Sequence, residues 1–237
     1  MDKFLNKIKL IQANNVLDVA TGRGEFIPLL KENLRNYNKI IGIDTNQKML
    51  EKARKKFEND SVFFKQLPAE NTEFSDDYFD VVAISNSLHH MKKLQAVLDE
   101  MYRILKPEGY FLINEMIRDD EQTPAQENHI AIHHWAAAID RKRGRFHGKT
   151  FTRKQIEEIL NRSRLDNIDV YEYSHKIDNP LDEQIVRDLT RKIDQYIQIL
   201  EDEVDCKKLI ERGEVIKENV KRVGFASAKS VFIIAKK

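Results

Sequence analysis

The chain has 237 residues, of which charged side chains make up 33%, yet its formal net charge is only +1. That length can bury a substantial core as one domain with an insertion, and the balanced charge excludes the basic excess that would make nucleic acid the default partner. The single cysteine, Cys206, excludes a disulfide framework and a thiolate metal cluster, and suits a reducing cytosol.

The first residues, Met1–Lys7, are too polar for a signal peptide, and no apolar run approaches the ~20 residues of a membrane helix. A cytoplasmic chain with no membrane partner is expected. Strands and helices then alternate. Val16–Ala20 reads as a first strand and Glu25–Arg35 as a helix, with Pro28 tolerated in its first turn. Ile40–Ile43 is a second strand. Asn46–Asn59 is a helix with Met49, Leu50, Ala53 and Phe57 on one face. Val62–Lys65 is a short third strand, and Phe79–Ser85, with an unbroken apolar centre, a fourth that is buried on both faces. Lys92–Leu105 is an amphipathic helix, Lys106–Gly109 a turn, and Tyr110–Asn114 a fifth strand.

The second half departs from this rhythm. Glu127–Arg143 reads as a helix carrying His129, His133, His134 and Trp135. Thr152 and Gln155 form a capping box that opens the helix Arg153–Asn161. Asn167–Ser174 is a sixth strand and Lys229–Ala235 a seventh. Between them two helices are expected, the first starting at Asn179-Pro180 and carrying the stripe Ile185, Leu189, Ile193, Ile197, Leu200 and Val204. The second covers Lys207–Arg222 and is weakened by Gly213. The βαβ alternation implies an α/β fold, a doubly wound and mostly parallel sheet of seven strands with helices on both faces. Its core is expected over 1–178 and 223–237, including the helical segment 119–147, with 179–222 as a helical insertion between strands six and seven.

The first strand ends in Asp18-Val19-Ala20-Thr21-Gly22-Arg23-Gly24, an acid followed by a tight loop with glycines. Glycine lets backbone approach a ligand that a Cβ would keep away. The second strand ends in Asp44, an acid suited to the two hydroxyls of a ribose. Together they read as a nucleoside-containing cofactor held at strand tips. Both acids also have a plain alternative, capping the helices that follow them.

These residues resemble the class I S-adenosylmethionine-dependent methyltransferases, in particular the ubiquinone/menaquinone-biosynthesis type, well from Val16 to about Asn114 and weakly at the last two strands. The glycine loop matches the family motif, with Ala20 where a first glycine often sits. The resemblance implies S-adenosylmethionine as cofactor and a reversed seventh strand. It implies that the backbone of Ala20, Thr21, Gly22 and Gly24 passes the methionine part, with Asp18 ordering its amino end. Asp44 would bind the ribose hydroxyls, and Thr45 would lie against adenine. Leu67–Asp80 matches the segment before strand four, where the amide of Ala69 meets an adenine nitrogen and Glu70 either contacts the cofactor or caps a turn. Pro68 stands where the family often has a polar residue. Asn86-Ser87-Leu88-His89-His90 matches the loop that passes the sulfonium end, and Leu105–Tyr110 the turn into strand five. A nicotinamide-binding fold shares the glycines and the ribose acid. It is set aside because Ile27 occupies the third glycine position, by the Leu-Lys-Pro-Glu-Gly turn, and by the lone final strand.

Methyl transfer is an in-line displacement at an already activated carbon, so a base is needed only when the nucleophile starts protonated. His90 and His89 are the positional candidates for that base; their alternative is to shape the loop. His129 and His133 stand four apart, a metal-ligand spacing, with His134 adjacent and His147 after the helix, and Glu127 or the His89/His90 pair would complete a shell; without a glutamate beside the first histidine or a defined third ligand, no metal is expected. The helix follows strand five, whose end lies at the cofactor crevice, and His133, His134 and Trp135 are candidates for the substrate wall; their alternative is packing. Only about fifteen residues precede strand one, so the insertion is expected to supply a lid, a role compatible with its competing one as a homodimer arm. The expected function is methyl transfer to a small molecule. The alternatives are an RNA or protein methyltransferase, for which the basic stretch Arg141–Arg145 speaks only weakly, and a cofactor-binding scaffold without catalysis.

Overall fold

The computed structural model describes residues 1–58, 60–119, 121–174 and 177–237. Asn59, the expected end of the helix Asn46–Asn59, lies outside the described residues, as do Asp120, His175 and Lys176.

The elements in chain order are α1 (Asp2–Ile8), β1 (Asn15–Val19), α2 (Ile27–Asn33), β2 (Lys39–Asp44), α3 (Gln47–Lys56), β3 (Val62–Gln66), β4 (Phe79–Ser85), a single 3₁₀ turn (Leu88–His90), α4 (Leu94–Ile104), β5 (Leu105–Met116), α5 (Pro124–Lys142), α6 (Arg153–Arg162), β6 (Asp166–Tyr173), α7 (Glu183–Glu201), α8 (Lys207–Val223) and β7 (Ser230–Lys236). The seven strands form one sheet in the order β3-β2-β1-β4-β5-β7-β6. β1 pairs in parallel with β2 and β4, β2 with β3, and β4 with β5. β7 is reversed: Gly109 is bonded to Lys237 near one end of β5, and Ile117 to Lys229 beyond the other. The chain leaves β1 toward β2 and β3 on one side and returns as β4 and β5 on the other. The crevice at the C-terminal tips of β1 and β4 is therefore the topological switch point, where open α/β sheets bind ligands.

By compactness the described residues fall into two units, one of 1–115, 156–173 and 231–237, the other of 116–155 and 174–230. The expected division keeps 119–147 with the sheet instead. The first unit holds the sheet and an apolar core that includes Val16, Ile27, Leu30, Ile40, Val81 and Leu112. Its N-terminal helix α1 is not foreseen from the sequence, but Phe4 and Ile8 stand four apart on one face and are fully buried, with Phe4 centred 4.5 Å from Phe232. The expected turn Lys106–Gly109 is instead an irregularity inside β5: Phe79 pairs with Leu105 and Val81 with Tyr110.

The second unit packs α5, α7 and α8 around Trp135, Ile139, Ile193, Ile197, Leu200, Ile216 and Val220. This is the packing that groups α5 with the insertion. α5 starts earlier than expected because Thr123 and Gln126 form a capping box with Pro124 at the start. α7 is capped by Asp182, which accepts from the Ile185 N–H at 2.9 Å, so Pro180 precedes the helix and does not open it. Of the expected stripe, Ile193, Ile197 and Leu200 are buried, whereas Val204 lies past the helix and is 80% exposed. Gly213 has a packing reason: a Cβ there would stand 2.6 Å from Trp135 Cζ2. Among the described residues no helix is long and apolar enough to cross a membrane.

Candidate functional site

The glycine loop follows β1 directly. Ala20, Gly22 and Gly24 all have positive φ, at 54°, 54° and 73°. Gly22 and Gly24 adopt this readily; Ala20 adopts it at the family's first-glycine position. The result is a backbone coil stitched by its own bonds, with Gly24 N–H donating to Thr21 O at 2.7 Å and Thr21 N–H to Ile43 O at 2.9 Å. A Cβ on Gly22 would meet nothing within 4 Å, so its backbone borders open space.

Two acids flank this coil in different states. Asp18 is buried under it; its Oδ2 accepts from the Thr21 hydroxyl, and its buried Oδ1 has no hydrogen-bond partner among the described residues. Burial raises its pKa to about 7, helped by the nearby Asp44 charge and opposed by the Thr21 bond. Asp44 closes β2 and is half-buried. Its Oδ2 accepts from Gly22 N–H at 2.9 Å and its Oδ1 from Asn46 N–H at 2.7 Å. Each oxygen keeps a second lone pair for a ligand. Asn46 also caps α3 through Met49 N–H, a pairing the sequence reading did not single out. Thr45 is exposed, and its carbonyl accepts from Gln66 Nε2 at 2.9 Å.

The segment before β4 is clamped to α4. Glu100 Oε1 accepts from the Thr72 N–H at 2.8 Å and hydroxyl at 2.7 Å. Arg103 binds both Glu100 oxygens, the Phe74 carbonyl and, at 2.6 Å, Asp76. The Arg103 bonds, opposed by burial and aided by Thr72, hold Glu100 down at about 2. This clamp fixes the stretch that carries Ala69, which is buried, and Glu70, which is exposed and 3.8 Å from Lys93.

At the tips of β4 and β5 the register pairs Ser85 with Asn114. Asn114 donates through Nδ2 to Ser85 Oγ at 3.0 Å and accepts from Asn86 N–H through its backbone carbonyl at 2.7 Å, while its buried Oδ1 has no hydrogen-bond partner among the described residues. Asn86 itself has φ 46°. The neighbouring Glu115 is fully buried: one oxygen accepts from Leu88 N–H at 3.1 Å, and the other meets His89 Nδ1. His89 is buried, its ring 4.3 Å from that of the exposed His90. Glu115 escaped the sequence reading; its trace is an acid two residues after the apolar run Phe111–Ile113, before the final Met116 of β5.

In the second unit the histidines of α5 divide. His129 Nδ1 accepts from Ala228 N–H at 3.0 Å, which fits burial holding its pKa low. His134 Nε2 lies 3.0 Å from Thr150 Oγ1, and His133 Nε2 lies 3.1 Å from His147 Nε2. Trp135 is 2% exposed and its Nε1 donates to Leu209 O at 2.8 Å, so it packs in the helical core, the alternative that the sequence left open beside a substrate wall. The basic stretch is spent within the fold: Arg141 donates to the His147 carbonyl, Arg143 to Glu203 and Arg145 to Asp140.

Residues 17–113 match the family described as the methyltransferase domain. Demethylmenaquinone methyltransferase of Lactobacillus johnsonii is 34% identical over 111 residues, which are 45% of this chain and 46% of that protein. The chain thus spans a little under half the length of the curated relatives it matches. In three dimensions the YcgJ protein of Bacillus subtilis superposes with a TM-score of 0.63 at 20% identity, covering 100% of this chain and 99% of its own. An S-adenosylmethionine-dependent methyltransferase of Archaeoglobus fulgidus gives 0.56 at 22% identity, covering 100% and 90%. At these identities the two structures establish a common fold, the Rossmann-like methyltransferase architecture.

Proposed function

We propose, from the premise that residues 17–113 belong to the methyltransferase-domain family, that this chain transfers a methyl group from S-adenosylmethionine to a small-molecule acceptor. The observation that carries this reading is the pair of acids around the glycine loop. Asp18 offers a buried acceptor oxygen that no donor among the described residues satisfies, and an unsatisfied buried acceptor is costly unless a ligand donor completes it. A cationic amino group is such a donor. Asp44 offers the remaining lone pairs of a carboxylate already aligned by two backbone N–H groups, a fit for vicinal ribose hydroxyls. These residues fit the cofactor.

The sulfonium supplies an activated methyl carbon when the cofactor is bound. The chain's own residues then have four tasks. Asp18 and the coil Ala20–Gly24 hold the amino-acid end, and Asp44 holds the sugar. The clamped segment with Ala69 borders the base together with Thr45, and Glu70 stands at its exposed edge. Asn86 and the loop after it face the reacting end, where His90 is our proposed proton acceptor and Glu115 fixes His89 against it. Exclusion of water and alignment supply the remaining rate enhancement.

For the acceptor, the name of the L. johnsonii relative supports a quinone-type ring as the first compound to offer, reduced because the atom that attacks the methyl carbon must be electron-rich. We assign His133 and His134 to acceptor binding. The segment 179–222 is proposed as a cover for that site, since its chain leaves the sheet after β6, and as a homodimer arm. A cytoplasmic setting completes the proposal. The internal bonding of Arg141, Arg143 and Arg145 disfavours an RNA substrate.

The test is calorimetry with S-adenosylhomocysteine, then methyl transfer to a panel of reduced quinones. Binding that is weakened in Asp44→Ala, with turnover on at least one acceptor, supports the proposal. Absence of binding ends it, and binding with no turnover on any compound favours a scaffold. Retention of RNA on a filter at low salt would reopen the nucleic-acid alternative.

A further inference from the structure

The spacing of His129 and His133 on α5 suggests a ligand pair, but the fold brings together a different one. His129 is engaged by the Ala228 N–H, and it is His147, from the loop after α5, that meets His133. The two Nε2 atoms are 3.1 Å apart, with ring planes crossed at 78° and centroids 4.9 Å apart. The His147 side chain is only 6% exposed, and its Nδ1 lies 2.8 Å from Asp140 Oδ2. Asp140 is also bound by Arg145, which anchors its carboxylate beside His147. With Asp140 Oδ2 as the acceptor, His147 donates through its Nδ1–H, which leaves its lone pair on Nε2, on the side of His133.

Two imidazole nitrogens at this separation have the spacing of adjacent ligands on one ion. Metal–nitrogen bonds of about 2.0–2.1 Å put neighbouring ligand atoms roughly 2.9–3.4 Å apart for right-angled to tetrahedral geometry. A carboxylate on the far nitrogen of a ligating histidine is the usual way of fixing its tautomer and orientation. We propose that His133 and His147 are the ligands of a divalent transition-metal site of the zinc class, with Asp140 as the carboxylate that orients His147. Imidazole suits zinc better than calcium or magnesium, which take oxygen ligands. Two protein ligands leave coordination positions for water or for another donor. The metal site does not require the methyl-transfer reading, although the two share His133, which that reading assigns to acceptor binding.

The experiment uses the full chain without a histidine tag, freed of metal by a chelator and titrated with zinc chloride in a calorimeter. One zinc per chain is expected. His133→Ala and His147→Ala should each abolish it, and Asp140→Asn should weaken it by about 10–100-fold. Substitution with Co²⁺ gives a second readout that does not depend on any variant folding: ligand-field absorption bands with nitrogen ligation are expected in the unaltered chain. A chain that takes up no zinc, or a folded double variant His133→Ala/His147→Ala that binds it as well as the original, overturns the site. In either case the pair is an N–H···N hydrogen bond only. Binding of S-adenosylhomocysteine is measured separately, so failure of the metal site and failure of the methyltransferase reading are distinguished.

Discussion

The backbone N–H of Gly22 donates to Asp44 Oδ2 over 2.9 Å, so the loop after β1 is fastened to the acid that closes β2. Asp44 therefore has a structural partner as well as a proposed ligand. Asp44→Ala should weaken S-adenosylhomocysteine binding by about 1–3 kcal/mol, through loss of the ribose acceptor and loosening of the coil. Calorimetry checks it; unchanged affinity would remove Asp44 from the site.

Asp18 makes a pH dependence with a definite sign. Its folded pKa of about 7 lies above its ordinary 3.8, so between these values the folded chain holds a proton that the unfolded chain has released. That contribution to stability is full below the ordinary value and is lost as pH rises through about 7. Asp18→Asn should raise the melting temperature at about pH 8 and flatten its pH dependence. The same substitution should weaken cofactor binding. In the unaltered chain, affinity for S-adenosylhomocysteine should fall roughly tenfold per pH unit below about 7, because Asp18 must release its proton to receive an amine. Melting curves and calorimetry across pH test both halves.

The Glu100 clamp has the opposite sign. Its carboxyl is held at about 2, below the ordinary 4.5, so its stabilisation is present above that ordinary value and is lost as pH falls through about 2. Glu100→Gln should cost about 1–3 kcal/mol near neutral pH by breaking the Arg103 and Thr72 bonds. Urea unfolding measures it. Raised hydrogen exchange at the Thr72 amide should accompany the loss.

The glycine loop can be tested by exchanging its two strategies. Ala20 sits at φ 54°, a left-handed conformation that costs a residue with a Cβ about 1 kcal/mol, so Ala20→Gly should be neutral or stabilising by up to that amount. Gly24→Ala should destabilise by about 1–3 kcal/mol, since its φ is 73° and its Cβ would stand 2.6 Å from Phe57 Cε2. Equal stability of both variants would contradict the strain assignment.

Glu115 and His89 are coupled through one buried bond, and a double-mutant cycle can read it. Glu115→Ala leaves the Leu88 N–H and the His89 ring short of an acceptor. With His89→Ala it should show a coupling of about 1–3 kcal/mol in unfolding free energy. Additive losses would mean that the two side chains act independently.

What the sequence determined by itself is local and periodic. The bounds of β4, Phe79–Ser85, were legible because a continuous apolar run flanked by polar residues has few other homes than a doubly buried strand. The capping box of Thr152 and Gln155 was legible because both of its bonds, at 3.0 and 3.1 Å, join residues three apart. The glycine loop and Asp44 were legible through their positions at strand ends. Tertiary structure alone decided which distant groups meet. Glu115 reaches His89 across 26 residues, and Glu100 reaches Thr72 across 28. His133 pairs with His147, not with the histidine four residues before it, and Trp135 serves the helical core. Periodicity specifies which face of an element is apolar, but a hydrogen bond between distant side chains depends on how those faces dock, and that docking is settled by packing summed over the whole chain.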